Sequence, residues 1–153
     1  MNNFVNRAIL LAAEAHKDDK WGDNPYFVHL ALAADNAVQI LQEMGFSSSY
    51  EQEDCVAAAW LHDVIEDHPD FADRVREEFP QIFESLQFVA RDRNDTYAEF
   101  IQKIIDSGDE VALIVKIADM RSNMNNNPPA NLRQRYEKNI VKLENALRNL
   151  FQQ

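Results

Sequence analysis

Glycine, proline and cysteine are all scarce in this chain of 153 residues, which has 3 Gly, 5 Pro and one Cys. Many short strands need turn residues between them, so this shortage argues against an all-β fold. The frequent Ala, Leu, Glu, Gln and Arg favour helix instead. Cys55 cannot form an internal disulfide, and its place in the apolar run of a predicted helix suits a small core residue. Reduced cysteine is in keeping with a cytoplasmic location. Basic residues are few as well: 15 Lys plus Arg stand against 26 Asp plus Glu, a net charge of −11, with no basic run. Binding to nucleic acid or to an anionic membrane is therefore disfavoured. Apolar runs such as 56–61 are far shorter than the ~18 residues of a membrane span. An apolar stretch after Arg7 ends at Glu14 and continues as an amphipathic pattern, so the N-terminus reads as mature structure rather than a signal.

What remains is an ordinary globular mixture, 46% hydrophobic and 27% charged, of a length that suits one domain spanning 1–153. The expected class is all-α, with about six to eight helices. Phe4, Ala8, Leu11 and Ala15 recur at helical spacing up to about His16. A polar connection follows from Lys17 to Pro25, and Pro25 suits the first turn of a second helix running to about Met44 and Gly45. Ser48 and Glu51 have the spacing of a capping box, opening a third helix that Pro69 closes. Two short acidic amphipathic segments meet at Pro80. Thr96 and Glu99 form a second capping box, for a helix that ends at Gly108. The segment from Val111 to Ala118 is apolar on nearly every side and should cross the core. Beyond the break at Pro128-Pro129, Leu132, Tyr136, Ile140, Leu143, Leu147 and Leu150 mark the apolar face of a last helix.

Ionisable residues inside apolar helices carry the most information, because a buried charge is costly unless a metal or a partner neutralises it. Three such interruptions occur. His62-Asp63 and Glu66-Asp67 follow an apolar run in the third helix, where Asp63, Glu66 and Asp67 should share a face. His29 sits among apolar residues early in the second helix. Asp119 sits in the most apolar helix, with Lys116 a turn before it and Asn123 a turn after it. His29, His62, Asp63 and Asp119 make a plausible four-ligand set for Mn, Fe, Zn or a similar divalent ion. Each feature alone has a bland reading: a hydrogen-bonded core histidine, an Asp paired with Lys116, solvated acids at a helix end.

In combination these residues resemble the HD superfamily of metal-dependent phosphohydrolases. The local sequences are most like the hydrolase domain of bifunctional alarmone enzymes and the small alarmone hydrolases, which remove the 3′-pyrophosphate from guanosine pyrophosphates. Ala15-His16, Pro25-Tyr26-Phe27-Val28-His29, Ala59-Trp60-Leu61-His62-Asp63-Val64-Ile65-Glu66-Asp67, Thr96-Tyr97, and Val115-Lys116-Ile117-Ala118-Asp119 through Asn123 all fall in family order. The resemblance implies a helical domain in which His29, His62, Asp63 and Asp119 bind one metal ion, Mn²⁺ in first place. It implies that Glu66 and Asp67 position or deprotonate the attacking water, and that Lys116 and Asn123 contact phosphate or sugar. Lys116 as a salt-bridge partner and Asn123 as a helix-end residue weigh equally. Lys17, Lys20 and several arginines are candidates for substrate phosphates. The family has a Gly-Gln step after its Ala-His pair, whereas the loop here reads Lys17-Asp18-Asp19-Lys20-Trp21-Gly22 and is a residue shorter. The implied function is hydrolysis of a nucleotide-like small molecule, with a (p)ppGpp 3′-pyrophosphohydrolase-like activity first. An HD-type 5′-nucleotidase and a non-catalytic nucleotide-binding module are the alternatives. Exposed helix faces could form a homo-oligomer, but no heptad specifies one.

Overall fold

The computed structural model describes residues 3–45 and 49–152 and is almost entirely helical. Its elements are α1 (Asn3–Ala15), β1 (Lys20–Trp21), β2 (Asn24–Pro25), α2 (Tyr26–Glu43), α3 (Ser49–Leu61), α4 (Val64–Asp67), a 3₁₀ turn (Pro69–Phe71), α5 (Ala72–Glu78), α6 (Pro80–Val89), α7 (Tyr97–Ser107), α8 (Glu110–Met124) and α9 (Ala130–Phe151). Apart from the single turn α4, the helices among the described residues number eight, within the six to eight expected.

The end signals read from the sequence are mostly the physical ends. Thr96 Oγ1 accepts the Glu99 N–H at 3.1 Å and caps α7, whose C-terminus Gly108 closes at φ 63°. Asp109 caps α8 by accepting the Ala112 N–H at 2.8 Å, and its carboxylate also holds the buried Ser85 hydroxyl of α6. Ser48 of the other expected capping box lies outside the described residues.

Three expectations are corrected. The connection from Lys17 to Pro25 is not plain loop: Lys20 pairs with Pro25 and Trp21 with Asn24 in an antiparallel hairpin. Gly22, at φ 62°, supplies the positive φ that a two-residue hairpin turn demands at its first position. Pro25 therefore sits just before α2 as its N-cap rather than inside its first turn. The third helix is not continuous to Pro69, because the regular helix is interrupted at His62-Asp63, where Asp63 has φ −99°, and restarts as the single turn α4.

Helix α8 is the axis of the packing, with α2, α3, α6 and α9 against it, while α1 covers α3. Leu113, Ile114, Val115, Ile117, Ala118 and Met120 are all buried, since every side of α8 meets another helix. The buried apolar side chains form one contiguous cluster from α1 to α9. Polar ties reinforce the packing: Asn36 of α2 donates to the Ala118 carbonyl at 3.2 Å, beside Asp119.

Leu113 is fully buried on α8. Leu113→Ala should cost about 2–5 kcal/mol, the transfer free energy plus the cavity left behind. A urea unfolding series checks this, with the midpoint falling and the slope unchanged.

Candidate metal centre

Three helical elements deliver four donors to one buried point. His29 comes from the first turn of α2, His62 and Asp63 from the break between α3 and α4, and Asp119 from the middle of α8. Successive residues on a helix point about 100° apart, so an unbroken helix would aim only one member of the His62-Asp63 pair inward. The break lets both converge. His62 Nε2 lies 2.9 Å from Asp63 Oδ2 and 3.1 Å from Asp119 Oδ1. His29 Nε2 lies 3.1 Å from Asp119 Oδ1, 3.5 Å from Asp63 Oδ2 and 3.4 Å from His62 Nε2. Asp63 enters the centre, while Glu66 and Asp67 keep surface open to solvent; both are still partly desolvated and both feel the Asp63 charge.

The second nitrogen of each imidazole shows which way its lone pair points. His62 Nδ1 is 2.6 Å from the Ala59 carbonyl oxygen, which can only accept, so Nδ1 carries the proton. Ser122 donates its hydroxyl to the His29 carbonyl at 3.2 Å, and the same oxygen lies 2.9 Å from His29 Nδ1, which therefore donates to it. In the neutral rings both Nε2 atoms then present lone pairs to two carboxylates. Four electron-rich atoms facing one another need a proton or a cation between them. Burial disfavours charge on either ring, but Asp63 and Asp119 outweigh it and raise both histidine pKa values, that of His62 well above its usual level.

These donors fit a divalent ion. Ligand atoms about 2.1 Å from a metal sit about 3 Å from one another, and the spacings here run from 2.9 to 3.5 Å. Two imidazoles and two carboxylates suit Mn, Fe or Zn.

A surrounding layer holds the donors. Tyr26 donates its hydroxyl to Asp63 Oδ2 at 2.5 Å. Lys116 Nζ is 2.8 Å from Asp119 Oδ2, and the Phe100 ring lies 5.1 Å from the ammonium. Asn123 Nδ2 donates to Asp119 Oδ1 at 3.2 Å while its Oδ1 accepts the Trp21 indole N–H, also at 3.2 Å, which ties the hairpin to the centre. Lys116 and Asn123 thus brace the Asp119 carboxylate, whatever else they touch. Lys116 and His62 hold the Asp119 carboxyl well below the usual range against the cost of its burial.

Glu66 and Asp67 have different neighbours although each feels Asp63. Glu66 Oε1 accepts the Arg91 backbone N–H at 2.6 Å and feels Lys116 and Asp119, whereas Asp67 feels His68 and Asp19. Burial, reinforced by Asp63 and Glu66, pushes the Asp67 carboxyl up to about 6. Asp67 lines an open cleft of about 430 Å³ with Asp18, Asp19, Lys20, Tyr26 and His68. Lys20 therefore stands in the same cleft as Asp67, but Lys17 does not, lining a separate recess with Ala12, Ala13, His16 and Phe27. Sequence reasoning gave no role to Tyr26 and overlooked Ser122. A hydroxyl three residues after Asp119 is the one local sign that could have flagged Ser122.

No protein-family model matches the chain, and no curated protein does. Solved structures do match, among them a metazoan orthologue of SpoT that hydrolyses ppGpp and plays a role in starvation responses. It is 21% identical with a TM-score of 0.69, over 99% of this chain and 96% of that one.

Two outcomes test this geometry. Tyr26→Phe removes the hydroxyl from Asp63 and should weaken divalent-metal affinity about 10–100-fold, read by isothermal titration. In chelated protein, Asp67→Asn should unfold at higher urea than the wild type at pH 7.5. A raised carboxyl pKa means that folding is penalised once the group ionises, so the advantage should vanish below about pH 4. The all-helical fold of an alarmone hydrolase is the fold of this chain, as its likeness to HD-type phosphohydrolases implied.

Proposed function

We propose that the chain, acting as one domain, is a divalent-metal-dependent phosphohydrolase of nucleotide-like small molecules, with the 3′-pyrophosphate of (p)ppGpp as its first substrate. The observation that carries this reading is the convergence of His29, His62, Asp63 and Asp119 on one buried point beside an open cleft. The fold shared with a ppGpp hydrolase supports the substrate class.

His29, His62, Asp63 and Asp119 would hold the ion, with Mn²⁺ in first place. When bound, it would lower the pKa of a water ligand and offset phosphate charge. The rest of the work falls to the chain. Asp67 stands in the cleft next to Tyr26, and its carboxyl, pushed up to about 6, can accept a proton near neutral pH. Glu66, held by the Arg91 N–H, orients the attacking water with its second oxygen. Lys116 neutralises Asp119 and keeps it a carboxylate. Lys20 offers a cation in the cleft where a phosphate would approach, and Asn123 faces the centre from the hairpin side.

The test is phosphate and pyrophosphate release from a nucleotide panel containing guanosine tetraphosphate and deoxynucleoside monophosphates, with stripped protein refilled with Mn²⁺. Pyrophosphate from the tetraphosphate is the expected result. Monophosphate cleavage instead would move the protein to the nucleotidase reading, and no release from metal-loaded protein would favour a binding module. Glu66→Gln should keep the metal and lose about 10²–10⁴ in kcat. A fully active Glu66→Gln variant would remove Glu66 from the machinery.

A further inference from the structure

A second group of donors lies outside the centre and takes no part in the proposed hydrolysis. His16 follows the end of α1, Asp19 lies in the loop entering β1, and His68 lies between α4 and the 3₁₀ turn. His16 Nδ1 is 2.7 Å from Asp19 Oδ2, and His68 Nε2 is 2.6 Å from the same oxygen. All three donor atoms lie within 4.8 Å of one another.

We propose that His16, Asp19 and His68 form a second divalent-metal site, of the two-histidine, one-carboxylate kind that suits Zn²⁺ or Co²⁺, on the wall of the cleft. Two chain segments meet there, the turn that carries His16 and Asp19 and the stretch that carries His68, and the pieces are held from behind. The His16 ring is only 4% exposed, stacks on Tyr26 with centroids 4.7 Å apart, and meets the edge of His68 at 5.0 Å. His68 and Asp19 face the cleft, where solvent can fill the remaining coordination positions, the arrangement of an open three-ligand site. Asp18 and Asp67 line the same cleft against one ammonium, Lys20, so the charge there favours a cation. As the structure stands, Asp19 Oδ2 takes an N–H from each ring. An ion would displace both protons and spread the donors to about 3 Å, a few tenths of an ångström, which loop residues Asp19 and His68 can supply.

The site shares no ligand with the first. Tyr26 lies between them, its ring on His16 and its hydroxyl on Asp63. Two ions would therefore occupy opposite sides of one tyrosine, and each can be deleted without the other's ligands.

The experiment counts metal in the full chain. Chelator-stripped protein is dialysed against about 10 µM Zn²⁺ and measured by inductively coupled plasma mass spectrometry, with Co²⁺ absorption spectra in parallel and circular dichroism to check folding. Two equivalents are expected in the wild type, one in Asp19→Asn and in His68→Asn, one in Asp119→Asn, and none in the Asp19→Asn, Asp119→Asn pair. A single wild-type equivalent that survives Asp19→Asn overturns the proposal, as do two equivalents that survive both Asp19→Asn and His68→Asn. A single equivalent lost in Asp19→Asn but kept in Asp119→Asn supports this site and removes the first one, so the two readings fail separately.

Discussion

Two carboxylates and two imidazoles aimed at one buried point form the constraint around which the fold is arranged. Asp63 and Asp119 bring two negative charges and Lys116 one positive charge, so with neutral histidines the centre carries −2 + 1 = −1. Such a deficit in a core is costly, and several kcal/mol per uncompensated ion is the order expected. Protons on the rings can offset it, as the raised histidine pKa values indicate, and so can a cation of charge two. The hydrogen bonds on the far nitrogens are compatible with both solutions and put the Nε2 atoms in position for a cation. Ala59 and Ser122 hold the protons on the Nδ1 atoms and leave both Nε2 lone pairs free for the centre.

The helical scaffold follows from this demand. Asp119 sits on α8, and that helix must be surrounded on every side so that no solvent reaches the carboxylate from behind. Its apolar residues on nearly every position accomplish this against α2, α3, α6 and α9. The break at His62-Asp63 is the other requirement. One chain segment aims two adjacent donors at one point where the regular helix is interrupted, and α4 resumes at once with Glu66 and Asp67 on the open side.

Much of this was legible in the residue pattern. Periodicity marked α1, α2, α7, α8 and α9, because each has one buried face or, for α8, is buried all round. The charges that interrupt apolar runs marked His29, His62, Asp63 and Asp119, because burial makes an ionisable residue conspicuous. Features set by tertiary contact were not legible. Nothing in Lys20, Trp21, Asn24 and Pro25 signals a strand pair: its register depends on Gly22 and on Trp21 reaching Asn123, 102 residues away. The interruption of the third helix was hidden because His62, Asp63 and Val64 do not break helices by propensity; convergence with α2 and α8 does it. Ser122 and Tyr26 acquire their roles only from what folds against them.

The same logic separates residues that act on the centre from those that act on what enters it. Lys116 and Asn123 lie within a few ångströms of Asp119 and already hold it, so losing either would disturb the donors before it disturbed a substrate. Lys20 and Asp67 hold no ligand of the centre and line the cleft, where a bound molecule would first meet the protein. Asp67 is costly to keep ionised there, since burial and two neighbouring acids all oppose its charge. Folding gains nothing from such a carboxylate near neutral pH, and readiness to take a proton at the cleft wall beside Tyr26 is the property that the proposed role of Asp67 uses.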